Sequence, residues 1–337
     1  MIRSHVAPVA CVGALALSLA APSLAQNRSA AEASETWTPE RLADGQPNIT
    51  GMWNNSNAMF TPLELPEELA GRDDVSADEL QARAEARARG RIAASEWKGF
   101  ENNAGGVGGY GFYWFDWYWE TPVDIGAPAL IVEPASGRIP ARTASAREEI
   151  AMNMAELHDA AEHMESGDRC ISRGVLGMMM PTEYNNGTLI LQPPGYVVIH
   201  SEMIHNVRVI PIDTTPHLDE TIRQWEGDPR GHWDGNTLIV ESTNFRAVRN
   251  MRGPSAGTRS RQSEAQRIVE RFTVVGPDTL RYTVRMEDAK TYTAPWSAAF
   301  PFNRDDGYTQ FEYACHEGNY SVPNALGGAR VEEARSR

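Results

Sequence analysis

The chain is predicted to be mainly β: an antiparallel meander forming a barrel or a strongly curled sheet, with two accessory helices. Three observations carry this. From Leu189 to His316 one strand-like segment follows another at the short, regular spacing of a closed or nearly closed meander. Turn signals separate them, notably Pro193-Pro194-Gly195, Asp234-Gly235 and Gly276-Pro277-Asp278. Several segments also carry polar side chains on the face where apolar ones belong, which implies a partly polar interior.

Taken in order, the chain starts with a targeting segment. Arg3 precedes the apolar run Val6 to Leu19, and Ser23-Leu24-Ala25 supplies small residues at the positions a signal peptidase reads. The run is too short for a membrane span, so residues 1–25 are expected to be a signal peptide cleaved near Ala25, giving a periplasmic or secreted protein. Residues 26–104 read as an N-terminal arm with one surface helix. Its start is Ser76 followed by Glu79, a capping-box spacing, and its body to about Trp97 is rich in Ala, Arg and Glu.

Residues 105–330 are expected to form a single β-rich domain. It begins with a Gly-rich stretch and the aromatic run Phe112 to Trp119, interrupted only by Asp116. Aromatics on both faces of such a segment imply burial on both sides, or one face lining a ligand cavity. Leu130 to Arg142 reads as a hairpin turning at Ala135-Ser136-Gly137, and Ser145 to Met164 as the second helix. Strands are predicted over Thr188–Gln192, Tyr196–Met203, His205–Ile212, Thr237–Phe245, Gln266–Val275, Thr279–Glu287, Lys290–Phe302 and Tyr308–Glu317.

Cleavage leaves two cysteines, Cys170 and Cys315. An even pair in an exported chain reads best as a disulfide, against the alternatives of reactive thiols or a metal pair, which no CxxC spacing supports. The net charge of −14 disfavours nucleic acid and anionic membrane surfaces as partners. Against that background Arg246, Arg249, Arg252, Arg259, Arg261 and Arg267 crowd one stretch containing Gly and Pro. It reads either as a solvated loop or as a lid that attracts an anionic ligand.

The candidate chemistry lies in the strands. In Gln266–Val275, Ile268 and Phe272 bracket Glu270 on one face, so either Glu270 points inward or the apolar face is interrupted; an inward carboxylate must be paired or have its pKa raised. Arg285 on the neighbouring strand is one partner it could take. Leu280, Tyr282, Val284 and Met286 share an ordinary apolar face. Glu312 and His316 share one face of their predicted strand, about 13–14 Å apart. His200, His205, His316 and Glu202 offer metal donors in number, but without a ligand spacing, so neither metal nor cofactor is expected. Glu202, His205, Glu270 and His316 are instead expected to serve general acid–base chemistry, the dull alternative being buried polar groups that satisfy hydrogen bonds. Trp114, Trp117, Tyr184, Asn185 and Glu312 are the expected ligand-binding residues. The chain lacks G-x-S-x-G, a phosphate-binding glycine loop and CxxCH, which disfavours an α/β hydrolase, an NTPase and a c-type cytochrome.

Many blocks in order, among them Arg169-Cys170, Tyr184-Asn185-Asn186, Glu202-Met203-Ile204-His205, Arg223 to Trp233, Val269 to Phe272 and Tyr313 to Tyr320, resemble a family of exported bacterial proteins of no assigned activity. That resemblance implies secretion and one shared architecture, and no reaction. Gly51-x-Trp53 is separately similar to the first strand of lipocalins. The expectation is an exported barrel that takes a small hydrophobic or aromatic molecule. It is either a cofactor-independent lyase, hydratase or isomerase, or a lipocalin-like carrier without catalysis.

Overall fold

A computed structural model describes residues 38–72, 74–97, 115–116, 125–213, 215–254 and 259–337. The expected signal segment lies outside them, as does the aromatic run apart from Phe115 and Asp116. The strands are β1 (Gly51–Asn54), β2 (Ile131–Glu133), β3 (Thr188–Leu191), β4 (Tyr196–Ser201), β5 (Asn206–Pro211), β6 (Asp228–Asp234), β7 (Thr237–Thr243), β8 (Val248–Arg252), β9 (Arg259–Gln262), β10 (Arg267–Gly276), β11 (Thr279–Glu287) and β12 (Trp296–Arg304). Ten of them form one antiparallel sheet in the order β5-β4-β3-β1-β12-β11-β10-β7-β6, with β2 also paired to β12. The sheet curls until its end strands β5 and β6 meet, joined by a single parallel bridge between Ile212 and Gly231. The result is a nearly closed barrel with one seam.

Alternation sorts the walls. On β11, Leu280, Tyr282, Val284 and Met286 are buried, and the residues between them are half-exposed. Rings fill the interior: Tyr282 lies 5.0 Å from Phe272, 5.2 Å from Phe300 and 5.6 Å from Phe302 between centroids. Trp53 and Trp296 are fully enclosed, and the Trp53 Nε1–H donates to Ile49 O at 2.9 Å. Each such ring contributes roughly 1.5–3 kcal/mol by leaving water. The lumen is therefore a packed core.

The three tight hairpins, at Pro193-Pro194-Gly195, Gly235-Asn236 and Pro277-Asp278, all lie at one end of the barrel. Gly195 and Gly235 take left-handed φ values of +78° and +58° there. The opposite end carries the β4–β5 turn, the β8–β9 hairpin and α3 (Gly174–Met179). Helix α1 (Ala77–Trp97) begins as its sequence indicates, the Glu79 N–H donating to Ser76 Oγ at 3.1 Å. Thr143 caps α2 (Ala144–Ala155) by accepting from the Ala146 N–H at 3.2 Å.

Several expectations change. The second helix stops at Ala155 rather than running to Met164. Leu130–Arg142 is no hairpin: Ile131 and Glu133 pair with β12, and the chain then meets Pro140, which has no N–H to donate. β12 begins at Trp296 rather than Lys290, because Asp288 Oδ1 accepts from the N–H groups of Lys290 and Thr291 and folds that segment into a turn. Tyr308–Glu317 is not a strand but part of an irregular strap, which leads to a fourth helix, α4 (Ser321–Arg335). The arginine-rich stretch contains the two-stranded β8–β9 sheet. Helices α3 and α4 thus add to the two expected.

Candidate acid–base site

Beyond Ser201 the chain turns sharply. Glu202 is α-helical in conformation, Ile204 and His205 have φ of +56° and +43°, and the His205 N–H donates to Glu202 O at 2.9 Å. Glu202 continues the outward face of β4, so it points away from the lumen. The strap, residues 305–320, runs back over it from the end of β12. Its anchors are the Asp305 N–H to Met52 O at 2.9 Å, Gln310 Nε2 to His200 O at 3.0 Å and Asn319 Nδ2 to Asp168 O at 3.0 Å. The Cys170–Cys315 disulfide, with Cα atoms 5.6 Å apart, fastens the far end.

Beneath the strap Glu202 is 1% exposed. Tyr308 donates its hydroxyl to Oε2 at 2.6 Å, and Asn185, itself at φ +56°, donates Nδ2 to Oε1 at 2.5 Å. Gly187 makes the approach possible: a Cβ there would sit 2.7 Å from Tyr308 Cε1 and 2.9 Å from Glu202 Oε2. Next door, Asp116 Oδ2 accepts from Asn186 Nδ2 at 2.7 Å and from the Asn186 N–H at 3.2 Å. Phe115 and Tyr184 stand with ring centroids 6.2 Å apart, and Arg173 Nη2 donates to Tyr184 Oη at 3.0 Å. Phe115, Asp116, Tyr184 and Tyr308 are part-exposed and form a rim, with Glu202 below.

Burial pushes the Glu202 carboxyl above its ordinary pKa, and the field of Asp116 adds to this; the Tyr308 and Asn185 hydrogen bonds work against it. Burial likewise raises Asp116, offset by donation from Asn186 and Asn185. Tyr308 is raised by burial and then by Glu202. Two carboxyl groups that resist ionisation thus lie near one another, and the field of Asp116 reaches Glu202.

The remaining expected site residues disperse. Glu270 does point inward and is fully buried, but it occupies the lumen, on the other side of the barrel wall from Glu202. Its partners are Arg208, which bonds both carboxylate oxygens, and the Tyr282 hydroxyl at 3.0 Å. Arg285 instead faces outward and pairs with Glu133 and Glu287. A carboxylate so held is a structural ion pair, and Glu270 does not join the site. His205 is exposed, its Nδ1 2.7 Å from Tyr313 O; the carbonyl only accepts, so Nδ1 carries the proton. Glu312 and His316 are exposed on the strap and share no strand face. Trp114 and Trp117 lie outside the described residues. Among the described residues no group of three or more His, Cys, Asp or Glu could hold a metal ion.

Of the expected residues, Glu202, Tyr184 and Asn185 are the ones brought together. Tyr308 was missed, and no local pattern marks it, because the strap reaches Glu202 across more than a hundred residues of sequence. Asp116 had a signal: it is the one carboxylate in the aromatic run. No protein-family model and no curated protein matches the chain.

Proposed function

We propose that this is an exported protein of the family its sequence resembles, acting by cofactor-independent proton transfer on a small hydrophobic or aromatic molecule. The acid–base pair is Glu202 and Asp116, on the outer wall of the barrel rather than in its lumen. One observation carries the reading: two desolvated carboxyl groups, Glu202 beneath the strap and Asp116 near enough to act on it, lie beside part-exposed aromatic rings. Glu202, with hydrogen bonds to both oxygens, suits the base. Asp116, raised by burial and taking both Asn186 bonds on Oδ2, suits the neutral acid. Substrate would lie against Phe115 and Tyr184. A proton leaves a substrate carbon for Glu202 and Asp116 returns one, which fits a lyase, hydratase or isomerase.

Export rests on the signal-like segment and on the disulfide, which is compatible with an oxidising compartment. No helix among the described residues is long and apolar enough to cross a membrane. The test is mass spectrometry of the small molecules that co-purify with wild-type protein and with Glu202→Gln. The reading expects Glu202→Gln to retain a compound that the wild type converts. If both release the same unchanged molecule, the protein is a carrier. If neither holds any, the site has no ligand.

A further inference from the structure

A second polar crevice opens at the same end of the barrel, between α3 and the β8–β9 hairpin. Arg173, Arg252 and Arg261 line it, and no carboxylate does among the described residues, although the buried Glu165 stands behind Arg173. In a chain of net charge −14 such a convergence needs a reason. Two of the three guanidinium groups are incompletely partnered. Arg173, 8% exposed, bonds Tyr184 through Nη2, while its buried Nη1 has no acceptor. Arg261 pairs with Glu149 through Nη1, while its buried Nε has none. Arg252, half-exposed, makes no hydrogen bond or ion pair with a described residue.

A buried guanidinium N–H left without an acceptor costs about 1–3 kcal/mol, more for a charged group, and is retained where something supplies that acceptor. The rest of the lining sets the shape of the supplier. Met251, Met286, Leu176 and Ile268 give an apolar wall, with two adaptable thioethers among them, and Ser260 and Gln266 give polar edges. The open space is ≈ 30 Å³, enough for a planar, two-oxygen headgroup, with the methionine side chains yielding to a short apolar tail.

We propose that this crevice binds the carboxylate of a small organic acid, its oxygens taken by Arg173 and Arg252 and its apolar body laid against Met251 and Met286. Guanidinium forks match a carboxylate bidentately, which a single ammonium does not. The site is separate from the Glu202 pair, although Arg173 also touches the Tyr184 rim.

The experiment is an NMR titration of the full chain with hexanoate, with hexanamide as its neutral isostere and inorganic phosphate as a third probe. Expected is saturable binding of hexanoate with shifts in residues 173–176, 251–254 and 260–262, weakened at least tenfold by Arg252→Gln and restored by Arg252→Lys only in part. Hexanamide should bind at least tenfold more weakly. Binding should persist in Glu202→Gln, so its loss cannot be confused with failure of the acid–base site. Equal binding of the amide, unchanged affinity in Arg252→Gln, or binding of phosphate but not hexanoate each overturns the proposal. Arg252 makes no hydrogen bond or ion pair to a described residue, so its variants are expected to keep the fold, as thermal unfolding will verify.

Discussion

Arg208 and Glu270 grip each other across the lumen, one from the first strand in the sheet order and the other from the third strand in from the opposite end. The pair is what a closed wall permits and an open sheet does not. It sits among aromatic rings with only Tyr282 as a further donor.

Removing one member should therefore be severe. Glu270→Ala takes the bidentate carboxylate from a buried guanidinium, leaving only the field of Glu226 to offset its charge, and is expected to cost about 3–5 kcal/mol in urea unfolding. Replacing both together, Arg208→Met with Glu270→Leu, should recover most of that loss. Tyr282→Phe, which removes one hydrogen bond to a charged acceptor, should cost about 1.5–3 kcal/mol. A double variant that loses as much as Glu270→Ala and Arg208→Met added together would mean that the pair is not coupled.

Reduction, or Cys315→Ser, frees a loop of 145 residues, the separation of the two cysteines. The chain-entropy treatment puts the expected loss at about 4–5 kcal/mol, measured as the fall in unfolding free energy with and without reductant.

Gly187→Ala places a methyl group against Tyr308 and Glu202. Overpacking of this kind costs about 1–3 kcal/mol. Its signature should be local: faster amide exchange and proteolysis in residues 305–320, with β10 and β11 protected as before.

The pH dependence has a defined sign. Glu202, Asp116 and Glu226 are each raised first by burial, so the folded protein binds more protons than the unfolded chain once pH exceeds the ordinary carboxylate range. Their joint contribution is thus a loss of stability as pH rises from about 4 through the folded values. Glu241 and Glu287, lowered first by hydrogen bonds from Arg267 and Arg285, act oppositely: their stabilisation is present above the unfolded pKa and fades as acid is added. Glu202→Gln should flatten the descending limb and leave the acid limb unchanged, as read from unfolding free energies between pH 4 and 8.

Much of this architecture was legible in local patterns. β11 was clear because its apolar alternation is complete and Gly276-Pro277-Asp278 dictates the turn from β10. On β10 the alternation left Glu270 either inward or interrupting the apolar face, and the closed sheet turns it inward. Its partner was not legible, since Arg208 becomes a neighbour only when the sheet closes. The strap mimicked a strand: its alternating Phe311, Tyr313 and Cys315 suggest period two, yet it bonds to side chains and isolated backbone groups rather than to a ladder. Helix α4 was hidden by Pro323, Gly327 and Gly328, though proline is tolerated in a first turn. The candidate site was half visible, because Asn185 and Glu202 belong to readable segments while Tyr308 arrives from the distant C-terminal strap.

Every strand of the barrel wall precedes residue 305, so the strap crosses a wall already complete in sequence. Losing the strap would strip the Tyr308 hydroxyl from the carboxyl at position 202 and the disulfide partner from Cys170, while no ladder pairing of the wall would be touched.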